Sequence, residues 1–479
     1  MLHLTPIIHQ TIKEFLEKKA LLKEYINQYG SPLNILFPEH MKDSIKSFAD
    51  VFKKYGIKGK IYYAHKPNKS HALVKQAAFE KIYLDVASES ELKNALCNGF
   101  VGSRIEATGP KNEQFLTLAL QHAVLISVDN FDELQQIIRL HKILSLSQPT
   151  RILIRLCGFN KKTLAKDTRF GISLDLLPEI LSFLKQYKDI CNLIGFSFHL
   201  DTSSVDEKTH ALTTCIRLMQ EARDQGFNTN VINIGGGFRV NYLEKESDWN
   251  AYISALKKSV VSDGQSLSWN NTGLGFRKEQ GKLRGDFQSY DYYVPIAQGA
   301  YLDSLLSQPF ADDDSLSLGA ALQELMIDLY IEPGRAMLNQ TGITVAKVSF
   351  VKESPHGELL VGLDMNKTSL NSQEQEMMVD PIIVTKNKKV NDEKRGIYFI
   401  GNLCLESDFI YKHKTFTQYL PEAGDLVVFV NTAAYNMDFF ESNTLQQRLA
   451  RKIAVTKGSS GFQTFLDGMY SPYFERSAA

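Results

Sequence analysis

Short apolar segments alternate with helix-like segments from residue 61 to residue 331 of this chain. The apolar segments are rich in β-branched and aromatic residues and do not alternate with polar ones, which is typical of parallel strands covered by helices on both faces. Strand–helix–strand connections are right-handed and keep neighbouring strands parallel, so eight such units predict an α/β protein with a closed (β/α)8, TIM-like barrel. The eight predicted strands cover residues 61–64, 82–86, 103–107, 124–128, 152–156, 194–198, 231–234 and 328–331.

Three of the intervening segments carry helix signals. The segment 88–100 begins with Ser88, a favoured N-cap residue, and has Glu91 three residues later, which is the spacing of a capping box. Apolar periodicity predicts further helices at 130–144 and 174–184. The order of strand, helix and strand is therefore repeated, as the barrel prediction requires.

After residue 340 strand-like runs dominate, and they predict a C-terminal β-rich, barrel-like domain with strands at 343–351, 358–365, 381–386, 396–402 and 425–432. The segment 29–37 predicts a strand that joins this domain from the N-terminal side. A polar, glycine-rich insertion interrupts the barrel, and a loop of that length is usually functional or mobile. The predicted domains are residues 1–40 as an N-terminal part of the β domain, 41–340 as the barrel with an insertion at about 240–325, and 341–479 as the C-terminal β domain.

The composition favours a small-molecule ligand. Lysine plus arginine and aspartate plus glutamate balance at 54 each, which argues against nucleic acid or an anionic membrane as a partner. The five cysteines are scattered and form no CxxC pair, as expected of reduced thiols in a cytoplasmic protein. The first residues do not resemble a secretion signal, and no apolar run approaches membrane-spanning length.

Polar residues follow the predicted strands, where a barrel places its functional groups. Lys66 follows strand one, His199 strand six and Glu332 strand eight. Lys66 precedes Pro67, which favours extended backbone and directs the amine into the barrel mouth. A single lysine is more often a solvated surface residue, but a buried lysine loses its proton and can form a Schiff base with an aldehyde.

The glycine tract Gly235–Gly237 allows backbone N–H groups to form an anion nest suited to a phosphate, to which Arg335 could add a bidentate contact. The dinucleotide-binding pattern is excluded, since Val240 stands at its third glycine position. Glu332 could hold the proton of a pyridine nitrogen and make the ring an electron sink, with His199 flat against it. His199 could equally be a core histidine and Tyr435 a packing residue. No metal site is expected, because His199 and His210 lack a third ligand at a recognised spacing.

Seven motifs occur in one order along the chain: YYAHKPNKS, DVASESEL, FSFHLDTSS, NIGGGF, EPGR, LCLESD and AAY. The chain resembles the ornithine and diaminopimelate decarboxylase family nearly end to end, as a divergent member. The resemblance implies a fold-type III pyridoxal 5'-phosphate enzyme with an alanine-racemase-like barrel and a β domain. It also implies a homodimer with shared active sites.

The same resemblance implies a role for individual residues. Lys66 would carry the internal aldimine, His199 would stack on the ring and Glu332 would pair with the pyridine nitrogen. Cys404, from the second subunit, would reprotonate the carbanion. The implied phosphate contacts are Thr202, Gly235, Gly236, Gly237, Arg335 and Tyr435, and the implied substrate contacts are Arg335, Glu406, Asp408 and Tyr435.

The implied function is decarboxylation of an α-amino acid through a quinonoid intermediate, and the departures from the family concern the substrate. Leu405 stands where the family has an acidic residue, and Glu406 comes one position late. The amino acid is therefore left unassigned among diaminopimelate, ornithine, arginine and similar substrates. Two alternatives stay open: a racemase of the same fold, which Glu332 disfavours, and a catalytically silent homologue that acts as a binding protein.

Overall fold

The structure is a computed structural model that describes residues 2–159, 168–200, 202–262, 266–370, 377–385, 394–438 and 446–473. The chain divides into two compact units. We call them the barrel unit, Met41–Arg239, Ile296–Met337 and Ser471–Ala479, and the β unit, Met1–His40, Val240–Pro295 and Leu338–Tyr470. No helix within the described ranges is long and apolar enough to cross a membrane.

Eight parallel strands close the barrel, which confirms the predicted fold class. The first strand pairs with the eighth, and the fourth pairs with the fifth, so the ring of hydrogen bonds is complete. Apolar side chains from five of the strands pack together, including Tyr62, Leu153 and Tyr330. In chain order, barrel strands one to eight are Gly59–Ala64, Tyr83–Val86, Ile105–Ala107, Leu125–Val128, Thr150–Cys157, Cys191–Ser197, Val231–Asn233 and Asp328–Ile331.

Side-chain caps begin most of the barrel helices. Ser88 accepts a hydrogen bond from the backbone N–H of Glu91 at 3.2 Å, as predicted, and Asn130 caps its helix in the same way. The carboxylate of Glu91 accepts from Ala87 N–H at 2.7 Å, one residue before the position that a capping box uses. The helices of this unit are Met41–Tyr55, His71–Phe79, Glu89–Cys97, Glu113–Gln121, Phe131–Ile143, Leu177–Leu184, Val205–Asp224, Gln298–Leu306 and Leu318–Glu324.

The β unit contains a curled nine-stranded sheet with mostly antiparallel pairs. The predicted N-terminal strand is present as Leu33–Leu36, between Gly342–Glu353 and Arg451–Gly458. Residue 386 of the predicted strand 381–386 lies outside the described residues. The helices of the unit are Gln10–Glu17, Lys19–Tyr29 and Glu246–Val261, and its other sheet strands are Leu359–Leu363, Ile382–Val384, Arg395–Ile400, Thr415–Thr417, Leu426–Val430 and Gly461–Leu466.

The predicted insertion at about 240–325 is divided between the two units. Residues 240–295 group with the β unit, and residues 296–337 group with the barrel unit. Aromatic packing explains the first assignment, because Trp269 contacts Tyr398 and Phe409 with ring centroids 5.2 and 4.6 Å apart. The described part of the insertion also contains three helices and two short hairpins, so it is a folded stretch rather than one long loop.

Candidate active site

The turn after barrel strand one carries Lys66. The carboxylate of Glu91 organises this turn by pairing with Lys69 at 2.6 Å and lying 3.6 Å from the His65 ring, and Lys69 also donates to the Lys66 carbonyl at 3.0 Å. Burial alone would raise the pKa of Glu91, but the nearby His65 ring and the charge of Lys69 outweigh it and lower the pKa to about 2. A fixed anion therefore shapes the turn and leaves the Lys66 side chain projecting.

The Lys66 side chain is solvent-exposed, whereas the sequence argument expected a buried amine. Its positive charge nevertheless acts on three other groups at the ends of barrel strands. The charge lowers the pKa values of Asp85, Glu332 and His199. These groups come from the ends of strand two, strand eight and strand six. The structure therefore brings Lys66, His199 and Glu332 into one electrostatic neighbourhood.

Three carboxyl groups, which we call the acid cluster, lie together in the barrel: Asp85, Glu106 and Glu332. The side-chain amide of Asn233 links two of them, donating to Glu106 Oε2 at 2.9 Å and to Glu332 Oε1 at 2.7 Å. Glu106 is fully buried, and its Oε1 atom has no hydrogen-bond partner among the described residues. Thr108 donates to Asp85 at 2.5 Å.

The three acids differ in how readily they ionise. Burial raises the pKa values of Asp85 and Glu106 well above their usual range, and the charge of Glu332 raises them further. Burial also raises the pKa of Glu332, but the positive charges of Arg155 and Lys66 and the hydrogen bond from Asn233 oppose the shift. The charges of Arg155 and Lys66 therefore favour the ionised form of Glu332, whereas burial and the charge of Glu332 favour the protonated forms of Asp85 and Glu106.

His199 presents a neutral ring at the same mouth. Its Nδ1 atom accepts a hydrogen bond from the backbone N–H of Gly236 at 3.0 Å, so the ring proton lies on Nε2. The His199 residue is solvent-exposed, but the protein packed around it still desolvates the ring. This desolvation and the positive charges of Lys208, Arg155 and Lys66 lower the pKa of His199 to about 3. The geometry suits a ring that stacks on a ligand without adding charge.

The glycine tract, Gly235–Gly237, follows barrel strand seven and depends on the absence of side chains. A Cβ atom on Gly235 would lie 2.7 Å from the Phe198 carbonyl oxygen, and one on Gly236 would lie 2.9 Å from the Glu332 carbonyl oxygen. Gly235 and Gly237 also have positive φ angles of 66° and 82°. Only glycine fits this crowded backbone.

Two of the three N–H groups of the glycine tract are bonded within the protein. Gly235 donates to Asn233 Oδ1 at 2.9 Å, and Gly236 donates to His199. The N–H groups of Gly237 and of the following Phe238 have no acceptor among the described residues. An anion nest in this tract would therefore use Gly237 and Phe238, whereas the sequence predicted Gly235 to Gly237 as a set.

The other predicted residues of the barrel unit lie around this tract. The Thr202 hydroxyl accepts the N–H of Ser204 at 3.0 Å, and its carbonyl oxygen lies 3.3 Å from a Cβ built on Gly237. Arg335 is half-buried and begins the short helix Arg335–Leu338. Their proposed contacts with a phosphate stay predictions.

The remaining predicted site residues belong to the β unit. Cys404 and Glu406 are exposed, and Tyr435 is half-buried with a left-handed backbone. Asp408 is buried, and its carboxylate accepts the backbone N–H groups of Lys367 and Leu403, each at 2.8 Å. Asp408 thus fixes the loop that carries Cys404, and its role in substrate binding stays a prediction.

Sequence reasoning did not assign roles to Asp85, Glu106, Asn233 or Lys208. Glu106 carried a usable signal, since a charged residue inside a strand that is apolar on both faces is rare unless it has a function. Lys208 carried none, because a lysine in the helix Val205–Asp224 is ordinarily solvated. Arg155, in barrel strand five, also belongs to the site, because its positive charge lowers the pKa values of both Glu332 and His199.

Residues 39–267 match the family model described as the pyridoxal binding domain of pyridoxal-dependent decarboxylases. Over just under half of its length, the chain resembles this family. Its cofactor is pyridoxal phosphate and its enzyme class is that of a pyridoxal-dependent carboxy-lyase, so both predictions are confirmed.

Individual relatives are distant. The chain is 28% identical to an uncharacterized protein of Sinorhizobium fredii, over 96% of this chain and 95% of that protein. It is 22% identical to a diaminopimelate decarboxylase of Staphylococcus aureus, over 89% of each. A crystal structure of diaminopimelate decarboxylase from Methanocaldococcus jannaschii with L-lysine superimposes with a TM-score of 0.69 at 18% identity, covering 93% of this chain and 91% of that one. The chain is therefore similar to pyridoxal-dependent decarboxylases at low identity along most of its length.

Proposed function

We propose that this chain decarboxylates an α-amino acid, with Lys66 as the residue that holds pyridoxal phosphate. The observation that carries the proposal is the position of Glu332, whose ionised form is favoured by the charges of Arg155 and Lys66, in one neighbourhood with Lys66 and His199. The residues fit the cofactor, because the glycine tract leaves a cradle that any Cβ atom would fill. When bound, pyridoxal phosphate supplies an electron-accepting ring that stabilises negative charge at the substrate α-carbon.

Each residue would contribute a separate task. Lys66 would supply the amine that binds the cofactor aldehyde. The Glu332 carboxylate would keep a proton on the pyridine nitrogen, which favours decarboxylation over a racemase that profits from a weaker electron sink. The neutral ring of His199 would lie against the cofactor ring without adding a positive charge.

The proton that replaces carbon dioxide requires an acid at the other face. Cys404 is exposed on its loop and would deliver a proton from its thiol to the α-carbon after carbon dioxide leaves. We propose that it does so from the second subunit of a homodimer, as the family resemblance implies. Two relatives are named as diaminopimelate decarboxylases, one of them in complex with L-lysine, and these names suggest a substrate with a long side chain. Leu405, which is 50% exposed, stands where the family has an acidic residue, so the substrate differs from diaminopimelate or ornithine in the group that this position contacts.

The reaction can be tested by incubating the purified protein with pyridoxal phosphate and α-amino acids in heavy water. A decarboxylase releases carbon dioxide and an amine that carries one deuterium at the former α-carbon. A racemase instead returns the amino acid with deuterium and altered handedness, and a silent homologue returns it unchanged, so either result would contradict the proposal. Lys66→Ala should abolish turnover, whereas Lys93→Ala, which removes an exposed lysine of the helix Glu89–Cys97, should retain it.

The shared site has its own test. Lys66→Ala and Cys404→Ala should each be inactive alone, and mixing them should restore activity through dimers that contain one intact site. Cys97→Ala removes another exposed thiol and should be fully active. If the mixture stays inactive while the two variants exchange subunits, the two residues act in the same chain and the shared-site proposal is wrong.

A further inference from the structure

Lys208 lies directly beneath the glycine tract. It is fully buried near the start of the helix Val205–Asp224, and its Nζ atom donates to the Gly236 carbonyl oxygen at 2.6 Å. A Cβ atom built on Gly237 would lie 2.9 Å from the same Nζ atom. The ammonium group is therefore separated from the outer face of the tract by a single layer of backbone.

The positive charge of Lys208 has no compensating carboxylate among the described residues. Its remaining neighbours are the ring faces of Phe238 and Tyr301, whose centroids are 5.0 and 5.3 Å from Nζ. Burial lowers the pKa of Lys208 to about 7. A buried ammonium group without an anion is unfavourable, so its retention at this position requires an explanation.

Lys111 shows how the same unit compensates another buried lysine. Its side chain pairs with Glu133 at 2.9 Å and donates to the carbonyl oxygens of Gly109 and Ser127 at 2.5 and 2.7 Å. Lys111 thus has a carboxylate and two carbonyl partners, whereas Lys208 has one carbonyl oxygen. The difference indicates that the charge of Lys208 is balanced by a bound anion rather than by a carboxylate of the described residues of this unit.

The backbone above Lys208 is suited to that anion. The N–H groups of Gly237 and Phe238 lack acceptors among the described residues, and Gly237 has a positive φ angle of the kind found in anion-binding nests. Two N–H donors and a buried ammonium group behind them match the charge and hydrogen bonding of a phosphate.

We propose that Lys208 is a positioning residue for the phosphate group of the cofactor, acting from beneath the glycine tract as its fixed counter-charge. This inference rests on the proposed function, because it takes pyridoxal phosphate as the ligand of the tract. Lys208 does not touch the reacting atoms. It donates a hydrogen bond to the Gly236 carbonyl oxygen. Its positive charge favours binding of a phosphate dianion at the glycine tract over binding of an uncharged group.

The test compares the affinities for pyridoxal phosphate and for pyridoxal, which lacks the phosphate. Both bind Lys66 through the same aldehyde, and both can be titrated by visible absorbance. Lys208→Met should weaken pyridoxal phosphate binding by about tenfold to a hundredfold and leave pyridoxal binding unchanged, because only the phosphate faces the lost charge. Lys208→Arg should recover part of the loss, and the phosphorus resonance of the bound cofactor should shift in the Met variant.

Lys111→Met is the matched control, since it removes a buried lysine that has its own carboxylate. It should lower the stability of the protein and leave the ratio of the two affinities unchanged. If Lys208→Met does not fold, Lys208→Gln takes its place, because glutamine can still donate to the Gly236 carbonyl without carrying a charge. An equal loss for both ligands, or no loss for either, would overturn the proposal for Lys208. A wild-type protein that binds neither ligand would overturn the proposed function as well.

Discussion

The acid cluster and the glycine tract with Lys208 contrast within one barrel mouth. The acid cluster contains three carboxyl groups with raised pKa values, and the tract lies between His199 and Lys208, whose pKa values are lowered. The Glu332 carboxylate of the first region suits a positively charged group, and the Lys208 ammonium group with the N–H donors of Gly237 and Phe238 suits an anion. A ligand that is protonated at one end and phosphorylated at the other satisfies both, which is why the two regions together fit pyridoxal phosphate better than either does alone.

The contrast extends to the dependence of stability on pH. A carboxyl group with a raised pKa binds its proton more tightly in the folded state, so its contribution to stability falls as the pH rises above the unfolded pKa. A lysine or histidine with a lowered pKa loses its proton more easily in the folded state, so its contribution falls as the pH decreases below the unfolded pKa. The two regions thus have opposite pH dependences.

The largest expected effect comes from removing the ionised member of the acid cluster. Glu332→Gln removes the anion that would hold the pyridine proton, and we expect carbon dioxide release to fall at least about a hundredfold. Binding of the cofactor to Lys66 should persist and can be followed by visible absorbance. Glu106→Gln is the control within the cluster, because a protonated glutamate and a glutamine are both neutral. If the two variants lose activity equally, the acids do not differ in ionisation as described.

The next largest effect is expected from removing Asn233, which connects the acid cluster to the glycine tract. Asn233 donates to Glu106 and Glu332 and accepts from Gly235, so Asn233→Ala leaves several buried groups without partners. We expect the free energy of unfolding to fall by about 1 to 3 kcal/mol and the cofactor absorbance to shift. Asn98→Ala, which removes a buried asparagine bonded to His71 and Asn94, should reduce stability without a spectral change. An unchanged spectrum in Asn233→Ala would mean that the two regions are independent.

The smallest expected effect is on the pH dependence of stability, which should change in opposite directions in two variants. In the cofactor-free protein, the stability of Glu106→Gln relative to wild type should rise above about pH 4.5, by up to about 1.4 kcal/mol per pH unit. The reason is that the wild type loses stability as Glu106 deprotonates in the unfolded state, whereas glutamine does not titrate. The relative stability of Lys208→Met should instead decline between about pH 7 and pH 10.5, as the wild-type lysine becomes neutral. Denaturant titration across pH measures both slopes.

Glu91→Gln provides the sign control for this experiment. The pKa of Glu91 is lowered to about 2, so its stabilising contribution is present above the unfolded pKa and is lost as the pH falls. The variant should be destabilised at neutral pH, and the difference should shrink on acidification. Slopes of the same sign for Glu106→Gln and Lys208→Met would contradict the comparison.

The sequence was sufficient for the parts of the fold that depend on strongly apolar strands. All eight barrel strands lie within the predicted ranges or extend them by a few residues, because runs that are apolar on both faces are distinctive. The hairpin of Arg451–Gly458 and Gly461–Leu466 was not predicted, since polar residues interrupt its apolar positions. The position of residues 240–295 depends on distant aromatic contacts such as that between Trp269 and Phe409, which no local pattern reports.

The site residues were predictable where the residue type and its place in the sequence indicate a chemical role. Lys66, His199, the glycine tract and Glu332 stand at strand ends, and their order along the chain matched a family. Lys208, Asn233 and Glu106 act through burial and through partners far away in the sequence, as in the bond of Asn233 to Glu106. Such roles follow from the three-dimensional arrangement, and residue identity or spacing alone does not indicate them.

The central claim is that Lys66 holds pyridoxal phosphate between the acid cluster and the glycine tract. The most direct measurement is borohydride reduction of the wild-type protein with its cofactor, followed by peptide mass mapping, with Lys69→Ala treated in parallel. We expect the pyridoxyl group on Lys66 in both proteins. A reduced adduct on another lysine, such as Lys69 or Lys208, or no adduct despite added pyridoxal phosphate, would contradict the account.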